Sequence, residues 1–279
     1  MHSFLIAFNS FYPLKKMINM RIKHMIFFCF LCCGFTLSAQ QKTPKALDIY
    51  LLMGQSNMSG RGKINDSLSK ISNDRVFMLD SNFNWVPAKH PVHFDKPKHV
   101  GVGPGLSFGI EMAKSNPSAS IGLVPCAVGG TSISVWEPNA LDSSSKKHPY
   151  DDALKRIKAA MKSGTIKGVI WHQGESDSKP KRSKEYLANL EKLIYRIRQE
   201  VGNPTLPFIV GELGDFKPAY ITFNEIIRSL PEHVNFTSVV SSSGLIHKGD
   251  TTHFDARSEE EFGRRFSKAM LEVQKSSTK

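Results

Sequence analysis

Beyond its first 39 residues the 279-residue chain has one cysteine, Cys126, so no internal disulfide can staple the remainder. A domain of about 240 residues can be stable from core burial alone, and export does not require a disulfide. Internal repeats and low-complexity tracts are also absent, which excludes a solenoid or fibrous array. No acidic or cysteine cluster accompanies His90, His93 and His99. They therefore read as surface loop histidines rather than a metal site.

Charge of one sign is missing from the first 39 residues, which hold Lys15, Lys16, Arg21 and Lys23 and no acidic residue. An apolar run follows at 25–37, too short to span a bilayer comfortably, and Ala39 offers a small residue for cleavage. Residues 1–39 are expected to be a signal peptide, with Met17 or Met20 as alternative starts and Cys29, Cys32 and Cys33 as leader residues. Residues 40–279 are expected to form a single domain, secreted or periplasmic and free of the membrane once the leader is removed. Of the 37 basic and 25 acidic residues, only four basic ones lie in the leader, so the remainder carries +8. That excess is spread along the chain apart from clusters such as 179–184, and reads as a solvated surface rather than a nucleic-acid site.

What is present is an alternation. Nearly continuous apolar runs at 48–54, 120–128, 167–174, 207–214 and 234–243 have the length of strands covered on both faces. Between and after them lie helical patterns. The segment 183–201 puts Leu187, Leu190, Leu193, Ile194, Ile197 and Val201 on one stripe, with Ser183 as the expected N-cap. The segment 255–273 does the same with Phe262, Phe266, Ala269, Met270 and Val273, capped by Asp255, with three glutamates in the first turn. The order predicts an α/β fold, a parallel sheet sandwiched between helices. The stretch 60–104 reads as a long surface insertion and 139–151 as a second loop.

Ligands of such sheets bind at the carboxyl ends of the strands. Ser56 falls just past the first strand, in GQSN, without the G-x-S-x-G elbow of other serine hydrolases. A lone serine in a turn is usually a local hydrogen-bonding residue. Here a base is on offer: Asp250 and His253, three residues apart after the fifth strand, suit an imidazole oriented on one nitrogen and facing the serine with the other. Donors for a developing oxyanion are offered by the glycines of AVGGTSISVW (127–136) and by the Gln173 amide of WHQGESD (171–177). Glu175, in the same loop, is a second carboxylate able to replace or assist Asp250, or to bind backbone N–H groups. Trp136 and Trp171 are candidate sugar platforms or core residues, and Arg61 a substrate contact or a loop anchor.

Together GQSNMSGRG, GGTSISVW, WHQGESD and DTTHFD resemble the SGNH-type hydrolases. Within them the match is to the sialate O-acetylesterase and acetylxylan esterase group, carbohydrate esterase family 6. The resemblance runs from about Asp48 to about Val273 and implies a flavodoxin-like three-layer α/β/α sandwich. It also implies a metal-free, cofactor-free serine esterase acting on acetylated oligo- or polysaccharides. Ser56 is then the nucleophile and an oxyanion donor, His253 the base and Asp250 its orienter. Gly130, or Gly129, is the second backbone donor and Gln173 the side-chain donor, where many SGNH enzymes have asparagine. A non-catalytic carbohydrate-binding protein and a lipase- or thioesterase-like hydrolase are the alternatives. The motifs leave xylan, sialic acid and pectic glycans equally open as carriers of the acetyl group.

Overall fold

A computed structural model describes residues 46–277; the expected signal peptide, 1–39, lies outside them. Within this range seven strands form one sheet: β1 (Leu47–Gly54), β2 (Val76–Leu79), β3 (Trp85–Pro87), β4 (Ser120–Pro125), β5 (Gly164–His172), β6 (Phe208–Gly211) and β7 (Thr237–Val240). Their spatial order is β3-β2-β4-β1-β5-β6-β7. All neighbours are parallel except the β2–β3 pair. The first strand in sequence is therefore the middle strand in space. It pairs with β4 from Leu47↔Ser120 to Leu52↔Pro125, and with β5 from Leu47↔Gly164 to Gly54↔His172.

Because side chains of a strand alternate between faces, β1 feeds both cores at once. Leu47, Ile49, Leu51 and Met53 enter one cluster and Tyr50 and Leu52 the other. The first cluster is completed by α3 (Pro149–Ala160), α5 (Tyr186–Val201) and α6 (Pro218–Arg228). The second is completed by α2 (Gly105–Ser115) and α8 (Ala256–Ser277). Short helical turns make up the rest of the numbering: α1 (Ser56–Ser59), α4 (Pro180–Ser183) and α7 (Leu230–His233). A β-sheet with helices on both faces is the three-layer α/β/α arrangement expected of nearly all-apolar strands. The two helices of the second face lie close: a Cβ on Gly263 would sit 2.0 Å from Ser107 Oγ and 2.2 Å from the Pro104 carbonyl.

Three local expectations change. The stretch 60–104 is more than a surface insertion, since it supplies β2 and β3, with β2 hydrogen-bonded to β4 inside the sheet. Ser183 does not cap the helix that follows. It ends α4, its hydroxyl reaching the Pro180 carbonyl, and α5 begins at Tyr186. Only Glu259 of the three glutamates stands in the first turn of α8, while Glu261 turns to Arg264 and Arg265. The cap itself is as expected: Asp255 Oδ1 accepts the Ser258 N–H at 2.7 Å.

Both candidate sugar platforms are core residues. Trp136 and Trp171 are fully buried and meet edge to face with centroids 5.0 Å apart. Their indole N–H groups reach Thr131 Oγ1 (3.3 Å) and Tyr186 OH (3.1 Å). Truncating Trp171 to Ala is therefore expected to lower unfolding free energy by about 3–5 kcal/mol. Denaturant titration reads this, and a change below about 1 kcal/mol would contradict the core assignment.

Candidate active site

Strand β1 ends at Gly54, whose φ of +133° and position against β5 exclude a side chain: a Cβ would lie 2.1 Å from the His172 carbonyl. The chain then turns at once into α1, with Ser56 as its first residue. A helix leaves the N–H groups of its first turn unpaired, and that of Ser56 is one of them. Ser56 is 5% exposed. Its Oγ lies 3.0 Å from His253 Nε2, and His253 Nδ1 lies 2.7 Å from Asp250 Oδ2. A carboxylate can only accept, so Nδ1 carries the proton and Nε2 presents its lone pair to the serine hydroxyl.

The turn that carries His253 is built on Asp250. Its Oδ1 accepts the N–H groups of Thr252 (3.0 Å) and His253 (2.8 Å), while Gly249 and Thr251 take φ values of +115° and +54°. Partial burial pushes the Asp250 carboxyl upward. The His253 N–H and imidazole and the Thr252 N–H outweigh that effect and hold it below the usual carboxylate range.

After β4 the chain passes through Gly129 and Gly130. The Gly129 N–H is taken by Asp95 Oδ2 at 2.7 Å. Gly130, at φ +85°, is exposed; its N–H has no partner among the described residues, and a Cβ there would meet only Lys96 Nζ, at 3.8 Å. Of the two glycines left open by the motif, only Gly130 has an unspent N–H. Ser56, His253, Gly130, Lys96, His99 and Tyr220 are among the residues lining a cleft of about 520 Å³ at these strand ends.

Gln173 does not turn its amide into that cleft, as the sequence suggested. It is fully buried, with Nε2 among Asp177 Oδ2 (2.5 Å), Gln55 Oε1 (3.1 Å) and the Thr131 carbonyl (3.1 Å). Three acceptors around one NH2 leave it no hydrogen for a ligand. Its work is to join the loops after β1, β4 and β5. Glu175 is not bonded to His253 either: its Oε1 takes Asn57 Nδ2 at 2.5 Å and lies 3.9 Å from His172 Nδ1.

Arg61 is a loop anchor. It is 8% exposed, donating to the Gly60 carbonyl and Ser59 Oγ (2.7 Å each) and pairing with Asp95 at 3.3 Å. Two of the three histidines of the insertion are buried rather than on the surface. His90 meets Glu260 at 3.1 Å, and His93 faces the Leu52 carbonyl at 3.4 Å, its pKa pushed down to about 4 by burial. His99 alone is exposed, at the cleft. Among the described residues no three His, Cys, Asp or Glu side chains are gathered as a metal would need, and no helix is long and apolar enough to cross a membrane.

The family model described as "carbohydrate esterase, sialic acid-specific acetylesterase" matches residues 46–272. The chain belongs to this family, and it is a carbohydrate acetylesterase. The esterase is 32% identical over 244 residues to a probable carbohydrate esterase of Arabidopsis thaliana, covering 80% of this chain and 90% of that one. The crystal structure of an Arabidopsis thaliana protein superposes with a TM-score of 0.73 at 31% identity, over 81% of the esterase and 98% of its counterpart. The crystal structure of NanS shares the fold, with a TM-score of 0.66 at 16% identity over 84% and 99% of the two chains.

Sequence reasoning missed Gln55, Asn57 and Asp95. The first two flank Ser56 inside the quoted motif, where their presence was the signal. Asp95 carried none, because its partners Arg61 and Gly129 come from separate stretches of chain. Burial raises the Asp95 carboxyl, but Arg61, the Gly129 N–H and His93 lower it further, leaving it below the usual value. A carboxyl depressed in the folded state contributes stability above its unfolded pKa of about 3.9 and loses it as pH falls through the folded value. Asp95→Ala strands Arg61 without its counter-ion. It is expected to cost about 3–5 kcal/mol at neutral pH, with the deficit narrowing below pH ~4. Denaturation of both proteins across pH 3–7 measures this; a deficit independent of pH would refute the assignment.

Proposed function

We propose that the protein is a secreted or periplasmic serine esterase, residues 40–279 forming its mature domain, that deacetylates oligo- or polysaccharides through Ser56, His253 and Asp250. The observation that carries this reading is the unbroken hydrogen-bond chain from Ser56 Oγ to His253 Nε2 (3.0 Å) and from His253 Nδ1 to Asp250 (2.7 Å). His253 takes the Ser56 proton at Nε2 as Oγ attacks the acetyl carbonyl carbon. Asp250 holds the tautomer and stabilises the imidazolium that forms. The oxygen of the tetrahedral intermediate is received by the N–H groups of Ser56 and Gly130, each such donor contributing about 3–4 kcal/mol. Collapse breaks the carbon–oxygen bond to the sugar, whose oxygen leaves with the Nε2 proton. Water then attacks the acetyl-serine with His253 again as base, releasing acetate.

A small acyl group fits this cleft. Its lining includes Gln55, Lys96, His99, Glu175, Ser176 and Thr252 and offers no extended apolar trough for a long acyl chain. A lipase-like activity on the same fold is correspondingly disfavoured.

Ser56→Ala is expected to lower acetate release from acetylated xylan or O-acetylated sialic acid by on the order of 10⁴-fold or more. Asp250→Asn should cost about 10²–10⁴-fold. Whichever substrate the wild type hydrolyses names the sugar class. Undiminished release by Ser56→Ala would overturn the mechanism.

A further inference from the structure

Asn57, the neighbour of Ser56, is 1% exposed and spends its amide on two other parts of the chain. Its Oδ1 accepts the Phe254 N–H at 3.2 Å, and its Nδ2 donates to the Thr252 carbonyl at 3.0 Å and to Glu175 Oε1 at 2.5 Å. A backbone N–H only donates and a backbone carbonyl only accepts, so the amide cannot be flipped. The two backbone groups flank His253 on either side, nearly 200 residues from Asn57 in sequence. Residues 249–251 before them are exposed and include the two positive-φ positions. Phe254 anchors the far side in the core.

Glu175 is the third member. Its side chain is 5% exposed, and its other oxygen, Oε2, has no hydrogen-bond partner among the described residues. The bond it does make goes to Asn57, whose second amide hydrogen would otherwise be buried without an acceptor. Such an orphaned group is costly and is relieved by rotation of the amide, which would also release the Thr252 carbonyl.

We propose that Asn57 and Glu175 are positioning residues: Glu175 fixes the Asn57 amide, and Asn57 holds both peptide groups beside His253 so that Nε2 meets the Ser56 hydroxyl. The role of Glu175 in this arrangement needs an accepting oxygen, not a charge. This rests on Ser56, His253 and Asp250 being the reacting set.

The test compares Asn57→Ala, Glu175→Ala and Glu175→Gln with wild type and Ser56→Ala, on the acetyl ester the wild type hydrolyses, with kcat, KM and thermal midpoint for each. Misplacing a reacting group by about 1 Å costs roughly 10²-fold. The two alanine variants are thus expected to lose about 10- to 100-fold in kcat, with KM within about twofold of wild type. Glu175→Gln keeps an amide oxygen for Asn57 and is expected to retain kcat within about threefold, which a charged partner of His253 would not allow. Glu175→Gln as damaged as Glu175→Ala would overturn the positioning role in favour of an electrostatic one. Wild-type kcat in both alanine variants, with Ser56→Ala inactive, would overturn the proposal and leave the catalytic reading standing. An active Ser56→Ala would remove the catalytic reading on which it rests. Should Asn57→Ala fail to fold, the Glu175 pair decides alone.

Discussion

A sheet covered by helices on both faces leaves its strand ends as the place where polar side chains can gather near the middle of the molecule. In this esterase the constraint falls on β1, which is central in space and apolar on both sides. Ser56 follows it at once, beneath the loops that leave β4 and β5. Each loop must satisfy its own backbone there, because unpaired buried N–H and carbonyl groups are costly. Gln173, Asp177 and Asp95 meet that demand. Gln173 and Asp177 join three loops beneath the cleft, and Asp95 takes the Gly129 N–H and the Arg61 guanidinium together.

The same accounting separates the two glycines of the motif. Gly129 is committed to Asp95, so its N–H is structural; Gly130, one residue on at positive φ, is left free at the surface of the cleft. It also explains why Gln173 was misread. A side-chain amide in a loop of polar residues reads as a donor to a ligand only if no protein acceptor lies nearer. Three do, and they come from segments separated in sequence by roughly 40 to 120 residues, except Asp177.

Strands were the most legible part of the chain, because burial on both faces demands nearly uninterrupted apolar residues, and each of the five runs contains a strand, although those at 207–214 and 234–243 are only four residues long. Strand β2 was hidden. It is four residues long, it is flanked by polar Ser-, Asn- and Asp-rich turns, and it lies within the stretch 60–104 whose glycines, lysines and histidines made it look like an insertion. Ser56, His253 and Asp250 were legible as a set, since two of them share a turn and the third follows directly on a strand. The roles of Asn57 and Asp95 were not, because each depends on which segments a folded chain brings within 3 Å of a side chain whose type alone says little.

Placement also divides the two carboxylates that the motifs offered to His253. Asp250 sits at the rim with its side chain 39% exposed, and it receives two backbone N–H groups besides the imidazole. Water and donors keep it ionised at little cost, and it can stabilise an imidazolium without itself being neutralised. Glu175 lies inside at 5% exposure, one oxygen on Asn57 and the other unpaired. Nearby Glu259 is fully buried with neither oxygen bonded, and burial, with the Glu175 charge added, pushes its pKa well above the usual range. The enclosed carboxylate is thus committed to Asn57 and makes no hydrogen bond to His253, while the exposed one is joined to the imidazole at 2.7 Å.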